Sequence, residues 1–304
     1  MPTGVVLRPN PSAANLVDDA IATASLAQSA GVDQIWLGQR VDYDAIGLAG
    51  LIGAAVPGLG VGTSVVPVNP RHPLLVASQA QTAQAASHGN FSLGLGLGSH
   101  DPERQAFGTS WPDPLGRLRE HLTVLRSIFD TGSVDFHGDQ YSAAPAWPVG
   151  VAGGTPVPVY VAAMGPRALR VSGELADGTM PFLAGPRTIA EFIEPAIAGA
   201  AAEAGRPRPR IIAAVPVLLT SDVDAGRAAA TRQLGFYEAI PSYRRAIARE
   251  GVDHVADLAA IGSADAVRRH LKRYLDAGAT DVVLNPLDTE SVEVEQLWEV
   301  AASI

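Results

Sequence analysis

Three stretches of this chain carry residue types whose spacing could do chemistry. The first, Ser92-Leu93-Gly94-Leu95-Gly96-Leu97-Gly98-Ser99-His100, alternates small residues with leucines. A strand sends successive side chains to opposite faces, so one face is greasy and the other almost bare backbone. The bare face ends in a polar cluster, Ser99, His100 and Asp101. Glycine inside a strand packs nothing and marks close approach by another backbone or a ligand. A flat ligand resting on naked peptide beside a titratable group fits this pattern. The same glycines could instead make room for bulky neighbours inside a barrel, but three on one face, ending at polar groups, favour the ligand.

The second stretch, Ala162-Ala163-Met164-Gly165-Pro166-Arg167-Ala168-Leu169, joins a strand to a helix through small residues, a glycine and a proline. Such a helix start leaves amide N–H groups facing open space, a phosphate cradle to which Arg167 adds charge. An ordinary strand-to-helix turn reads the same way. In the third, Leu59-Gly60-Val61-Gly62-Thr63-Ser64-Val65-Val66-Pro67-Val68, Pro67 cannot donate a ladder hydrogen bond, which predicts an irregularity there. Asn69-Pro70-Arg71-His72-Pro73 follows as a rigid turn launching a helix.

Other chemistries lack their residues. The chain has no Gly-x-Ser-x-Gly elbow and no Gly-Lys-Ser/Thr phosphate loop. The dinucleotide fingerprint fails as well, because its third glycine slot holds Ser99 or Asp101. The 7 histidines are scattered, and the absence of cysteine removes disulfides, thiolate metal sites and thiol nucleophiles. The paired carboxylates of a glycosidase are missing, since the seventh strand ends in Pro216-Val217-Leu218 and the fourth offers only Asp101. A flat phosphorylated cofactor that itself carries the redox chemistry survives this elimination.

The elements that must position these stretches follow a repeated joint. Ala30-Gly31-Val32-Asp33, Leu175-Ala176-Asp177-Gly178 and Ala277-Gly278-Ala279-Thr280-Asp281 each place a glycine shortly before an apolar run. That glycine permits a left-handed helix cap before a buried strand. Short apolar or β-branched runs predict strands near 4–8, 34–38, 59–66, 91–97, 157–162, 179–183, 211–219 and 281–285. Helical spacing marks 13–30, 73–87 from Pro73, 117–130, and 264–277 after Ser263. Eight alternating units predict a (β/α)8 TIM barrel with insertions after strands 4 and 7, at 99–156 and 220–262. The first insertion carries a hairpin from Val134 to Tyr141 that turns at Gly138-Asp139. With no Pro/Ser linker or low-complexity tract, residues 1–304 read as a single domain.

Bulk properties narrow the partners. The chain has 304 residues, 47% hydrophobic and 17% charged, enough for a generous core. A net charge of −9, from 22 basic against 31 acidic residues, argues against nucleic acid. The longest greasy run, Leu48 to Thr63, is broken by Pro57 and glycines, and no signal-peptide pattern opens the sequence. A soluble, cytoplasmic protein is expected.

Gly62-Thr63-Ser64-Val65-Val66-Pro67, Arg71-His72-Pro73, the strand Leu93–Gly98, Ala163-Met164-Gly165-Pro166, and Gly262-Ser263 through Ala277-Gly278-Ala279 occur in an order that resembles the bacterial luciferase-like family. Within it they are most similar to the coenzyme F420 (deazaflavin)-dependent oxidoreductases. The resemblance covers nearly the whole chain and is weakest at 99–156 and 220–262. It implies a homodimeric barrel with the deazaflavin ring at its C-terminal mouth, a non-prolyl cis peptide at Ser64-Val65 behind the ring, and ring or ribityl contacts at Gly96, Leu97 and Gly98. The phosphate would meet Ala163, Met164, Gly165, Pro166, Arg167 and Ala168.

One departure concerns proton transfer. Many members carry an acidic residue and a histidine after strand two, where this chain has Gln39-Arg40, and neither side chain shuttles protons near neutral pH. Gln39 and Arg40 are therefore expected beside the ring, with Arg40 balancing negative charge on the deazaflavin or an anionic substrate. His100 becomes the candidate catalytic proton donor. The activity implied is hydride transfer between the deazaflavin C5 and a small organic substrate. An FMN-dependent luciferase-like monooxygenase and a non-catalytic deazaflavin carrier or sensor are the alternatives.

Overall fold

The computed structural model describes residues 3–98, 105–108, 110, 112–287 and 294–304. Eight strands, β1 (Thr3–Val6), β2 (Gln34–Leu37), β3 (Gly60–Thr63), β4 (Phe91–Gly96), β5 (Val159–Val161), β6 (Gly178–Thr179), β7 (Arg210–Leu219) and β8 (Asp281–Pro286), pair in parallel in chain order. β8 returns to β1 with Leu284 opposite Val5, which closes the barrel. The helices are α1 (Leu16–Ser29), α2 (Ala45–Ala55), α3 (Pro73–Ala86), α4 (Pro114–Thr131), α5 (Pro166–Leu175), α6 (Glu194–Glu203), α7 (Val223–Leu234), α8 (Pro241–Glu250), α9 (Ala264–Asp276) and α10 (Val294–Ala302).

Local chemistry explains most element starts. Asn15 caps α1 by accepting from the Val17 and Asp18 N–H groups, and Asp113 and Ser263 cap α4 and α9. α4 stops at Gly132, whose φ of 71° is the left-handed cap. Between β4 and β5 the chain adds α4 and a small antiparallel hairpin, Phe136–His137 with Ser142–Ala143. Between β7 and β8 it adds α7, α8 and a short strand, Ala260–Gly262, which extends the sheet along the end of β7.

Three details depart from the sequence reading. The strand expected over 59–66 is split into Gly60–Thr63 and Val66–Pro67 by a turn at Ser64–Val65. The strand expected over 179–183 shrinks to β6 and an isolated bridge between Phe182 and Ala214. The strand at 260–262 was not anticipated.

The barrel interior is filled asymmetrically. Trp36, Tyr160, Met180, Ile212 and Val283 form the inner cluster, with Trp36 and Tyr160 edge to face at 6.3 Å. The indole fits because its neighbours are glycines. A Cβ at Gly4 would lie 2.7 Å from the indole nitrogen, and one at Gly62 would lie 2.6 Å from its six-membered ring. At the N-terminal end Arg210 forms a two-pronged pair with the buried Asp281 and donates to the Tyr160 hydroxyl at 2.9 Å. That end is plugged, and the open end is the C-terminal mouth.

Candidate functional site

The site is built around the interruption of β3. The Thr63 hydroxyl donates to the Gly94 carbonyl and accepts from the Gly94 N–H, both at 2.8 Å. A side chain thus takes the ladder position the backbone would have held, and the Ser64–Val65 peptide, which is cis, swings out of the strand line. The chain rejoins β4 at Val66 and Pro67, and the Val68 N–H donates to the Gly96 carbonyl at 2.8 Å.

This turn corrects the bare-face expectation. A Cβ at Gly94 would sit 1.9 Å from the Thr63 carbonyl oxygen, and one at Gly96 would sit 2.7 Å from a Val65 methyl. Gly94 therefore makes room for the protein's own turn, and Gly96 for the Val65 side chain, while Gly96 also borders the cleft. The open surface begins one layer out, where Val65, Pro67 and the chain from Gly96 to Gly98 line a cleft of about 470 Å³.

The opposite wall is the β5–α5 junction, where Met164, Gly165, Pro166, Arg167 and Ala168 all face the same cleft. Gly165 is the N-cap of α5, its extended backbone offers no side-chain cap, and nothing lies within 4 Å of where its Cβ would be. The first-turn N–H groups therefore have no internal acceptor of the kind that Asn15 or Ser263 supplies. Ala163 lies behind this wall, fully buried, with its N–H donated to the Val161 carbonyl.

A third wall comes from the second insertion, which sequence reasoning left unassigned. Ser242, Tyr243 and Arg245, from the first half of α8, line the cleft, and α8 also begins without a side-chain cap. The Glu250 carboxylate at its far end accepts from the Arg187 and Thr188 N–H groups at 3.2 and 2.8 Å. Tyr243 packs against Tyr237 at 4.8 Å and Phe182 at 6.4 Å, so α8 is a fixed wall. No pattern in 220–262 revealed which face would meet the cleft.

The loop after β2 differs in part from its expected role. Gln39 reaches the cleft, but its amide is consumed locally, donating to the Tyr43 and Arg40 carbonyls and accepting from the Ala45 N–H at 3.1 Å. Arg40 lies off the cleft wall, exposed and paired with Asp42 at 2.9 Å, which holds the guanidinium above its usual pKa. It borders a neighbouring recess of about 480 Å³ that shares Gln39 with the cleft and is walled by Tyr43, Arg71 and Phe107. Ser64 is not among the residues lining the cleft. His100 lies outside the described residues. Among the described residues the cleft wall carries no carboxylate or imidazole; its charges are Arg167 and Arg245, neither in an ion pair with a described residue.

A closed parallel barrel with a turn-and-backbone cleft at its C-terminal mouth defines a class, and comparison with known proteins gives the family. Residues 1–281 match the model of the luciferase-like monooxygenase family, and the chain belongs to that family of oxidoreductases. An F420-dependent glucose-6-phosphate dehydrogenase of Beutenbergia cavernae is 31% identical over 234 residues, 71% of this chain and 68% of that protein. An uncharacterized protein of Mycobacterium tuberculosis is 28% identical over 206 residues, 64% of this chain, and the match spans only 61% of that relative's length. Among solved structures, the coenzyme F420-dependent tetrahydromethanopterin reductase of Methanopyrus kandleri superposes with a TM-score of 0.78 at 21% identity, covering 99% of this chain and 97% of that one. The oxygenating constituent of 3,6-diketocamphane monooxygenase of Pseudomonas putida, in complex with FMN, gives 0.77 at 16% identity, covering 99% and 96%.

Proposed function

We propose that this chain, acting as a single domain, is a coenzyme F420-dependent oxidoreductase that transfers hydride between the deazaflavin and a small organic substrate. The observation that carries this reading is the cleft itself. One wall is mostly main chain with Val65 and Pro67, the opposite wall is an uncapped helix start beside Arg167, and α8 adds Arg245; neither guanidinium is in an ion pair with a described residue. A tricyclic ring suits the first wall, and an attached phosphate suits the second. When bound, the deazaflavin would supply the hydride chemistry at its C5.

The protein's own residues bind and orient. Val65 would support one face of the ring, and Gly96, Leu97 and Gly98 would meet its edge and the sugar chain. The α5 N–H groups, Arg167 and Arg245 would hold the phosphate, while Ser64 and Ala163 act from behind their walls. The recess beside Gln39 and Arg71 would seat the substrate next to the ring, and His100 remains the candidate proton donor. The exposed Leu51 and Leu75, flanking a groove of small residues between α2 and α3, offer a face for a second copy of the chain.

The deazaflavin-dependent relatives favour F420 over FMN, although an FMN ring and phosphate could occupy the same two walls. Oxidation of reduced F420 by a panel of aldehydes, ketones and imines tests the reading. Turnover with at least one supports it. Oxygen consumption with reduced FMN instead supports the monooxygenase alternative, and tight deazaflavin binding without turnover supports a carrier or sensor.

A further inference from the structure

The turn that carries Val65 is gripped from outside the barrel. Asn69, only 1% exposed, follows directly after the segment that rejoins β4, and its Oδ1 accepts from Arg117 Nη1 at 2.7 Å. Arg117 belongs to α4, in the insertion between β4 and β5. Its guanidinium lies 5.2 Å from the centre of the Tyr141 ring, and it has no carboxylate partner among the described residues. The ring of Tyr141 is packed edge-on by His72 at 5.5 Å and His121 at 5.7 Å. His72 in turn accepts from the Leu74 N–H through Nδ1 and bonds the Ser142 carbonyl through Nε2 at 3.1 Å. Glu120 accepts from the Asp139, Gln140 and Tyr141 N–H groups at 2.9, 2.8 and 2.9 Å. Hairpin, α4 and the loop after β3 are one cross-linked unit.

This unit is a costly way to gain stability. Among the described residues Arg117 Nε and Asn69 Nδ2 are buried with no partner, and the guanidinium bonds a neutral amide and the Tyr141 hydroxyl rather than a carboxylate. An apolar pair of similar shape would pack there without those unpaired donors. What the bond adds is direction: it fixes where the chain goes on leaving the Ser64–Val65 turn.

We infer that Arg117 is a positioning residue which, through Asn69, sets the placement of Val65 against the cofactor ring. The inference rests on the functional reading above and assigns a role to the first insertion that the cleft-lining residues alone do not show. The Arg117 side chain itself is not part of the cleft wall.

The test titrates wild type, Arg117→Met, Arg117→Lys, Asn69→Leu and the Met/Leu double variant with coenzyme F420, followed by fluorescence quenching and by the shape of the bound ring's absorption band. Inorganic phosphate is scored separately by thermal protection, as a probe of the α5 end alone. Each single apolar variant is expected to raise the F420 Kd about tenfold, near 1.4 kcal/mol, and to shift the bound band towards that of free cofactor. The double variant should lose no more than either single, Lys should restore part of the loss, and phosphate protection should stay unchanged. Wild-type F420 affinity in both single variants, additive losses, or an equal loss of phosphate protection overturns the inference. Should Arg117→Met fail to fold, Asn69→Asp, which keeps the acceptor, is compared with Asn69→Leu: equal affinities overturn it, and a tenfold gap supports it. A wild-type protein that binds no F420 at all removes the functional reading instead, a result these variants do not mimic.

Discussion

The Thr63 hydroxyl and the Gly94 peptide exchange two hydrogen bonds, each 2.8 Å, where a strand ladder would otherwise run. With that exchange go the broken strand and the seating of Val65 over Gly94 and Gly96, against the barrel's inner cluster. Thr63→Val keeps the side-chain shape and removes both bonds. It should cost about 1–3 kcal/mol by leaving the buried Gly94 N–H unpaired, and it should weaken cofactor binding as the turn loses its anchor. Urea denaturation and a cofactor titration on the same sample check both effects.

Gly94→Ala and Gly96→Ala should separate sharply. The first puts a methyl 1.9 Å from a backbone oxygen, and the second puts one 2.7 Å from a valine methyl that can rotate. Overpacking against a side chain costs about 1–3 kcal/mol, and a clash with fixed backbone costs more. Soluble yield and melting temperature should fall far more for Gly94→Ala.

Gly165→Asp should move stability and binding in opposite directions. The backbone at Gly165, φ −104° and ψ 152°, suits an aspartate N-cap, which α5 lacks. The apo protein should gain about 0.5 kcal/mol from the cap and the helix dipole. Cofactor affinity should fall at least tenfold, because a carboxylate would then occupy the phosphate position. Unchanged affinity would remove the anchor from this helix. Arg245→Ala, at an exposed residue with no ion pair to a described residue, should leave stability within about 0.5 kcal/mol of wild type while raising the cofactor Kd and flattening its salt dependence.

His121 should make stability depend on pH. Full burial, with His72, Arg117 and Arg71 nearby, pushes its pKa down to about 3 from 6.5. The folded state therefore holds His121 neutral between these values while the unfolded chain binds a proton. The stability this group contributes is present above about pH 6.5 and is lost as pH falls towards 3, at up to about 1.4 kcal/mol per pH unit. His121→Phe should flatten that part of the curve, as followed by urea midpoints across the range.

The barrel was legible in the sequence because its signals are local. Apolar runs of strand length and glycines after helices, such as Gly31 and Gly278, mark the alternation whatever surrounds them. The β5–α5 wall of the cleft was legible for the same reason, since Gly165-Pro166 announces a helix start. Gly94 was misread because a missing Cβ reveals that space is needed, not what fills it, and Thr63 lies 31 residues away. Ser242, Tyr243 and Arg245 were missed because α8 reaches the cleft only through packing on Phe182 and the Glu250 anchor, contacts that no periodicity encodes. Gln39 borders the cleft, but its amide is spent on its own loop, a local network that no residue type announces.

The central claim is that the cleft between Val65 and Gly165 binds a deazaflavin. Dissociation constants for coenzyme F420 and FMN, measured side by side on the purified protein by fluorescence titration, test it most directly. F420 binding at least tenfold tighter than FMN is the predicted result; a clear preference for FMN, or no binding of either, would contradict it.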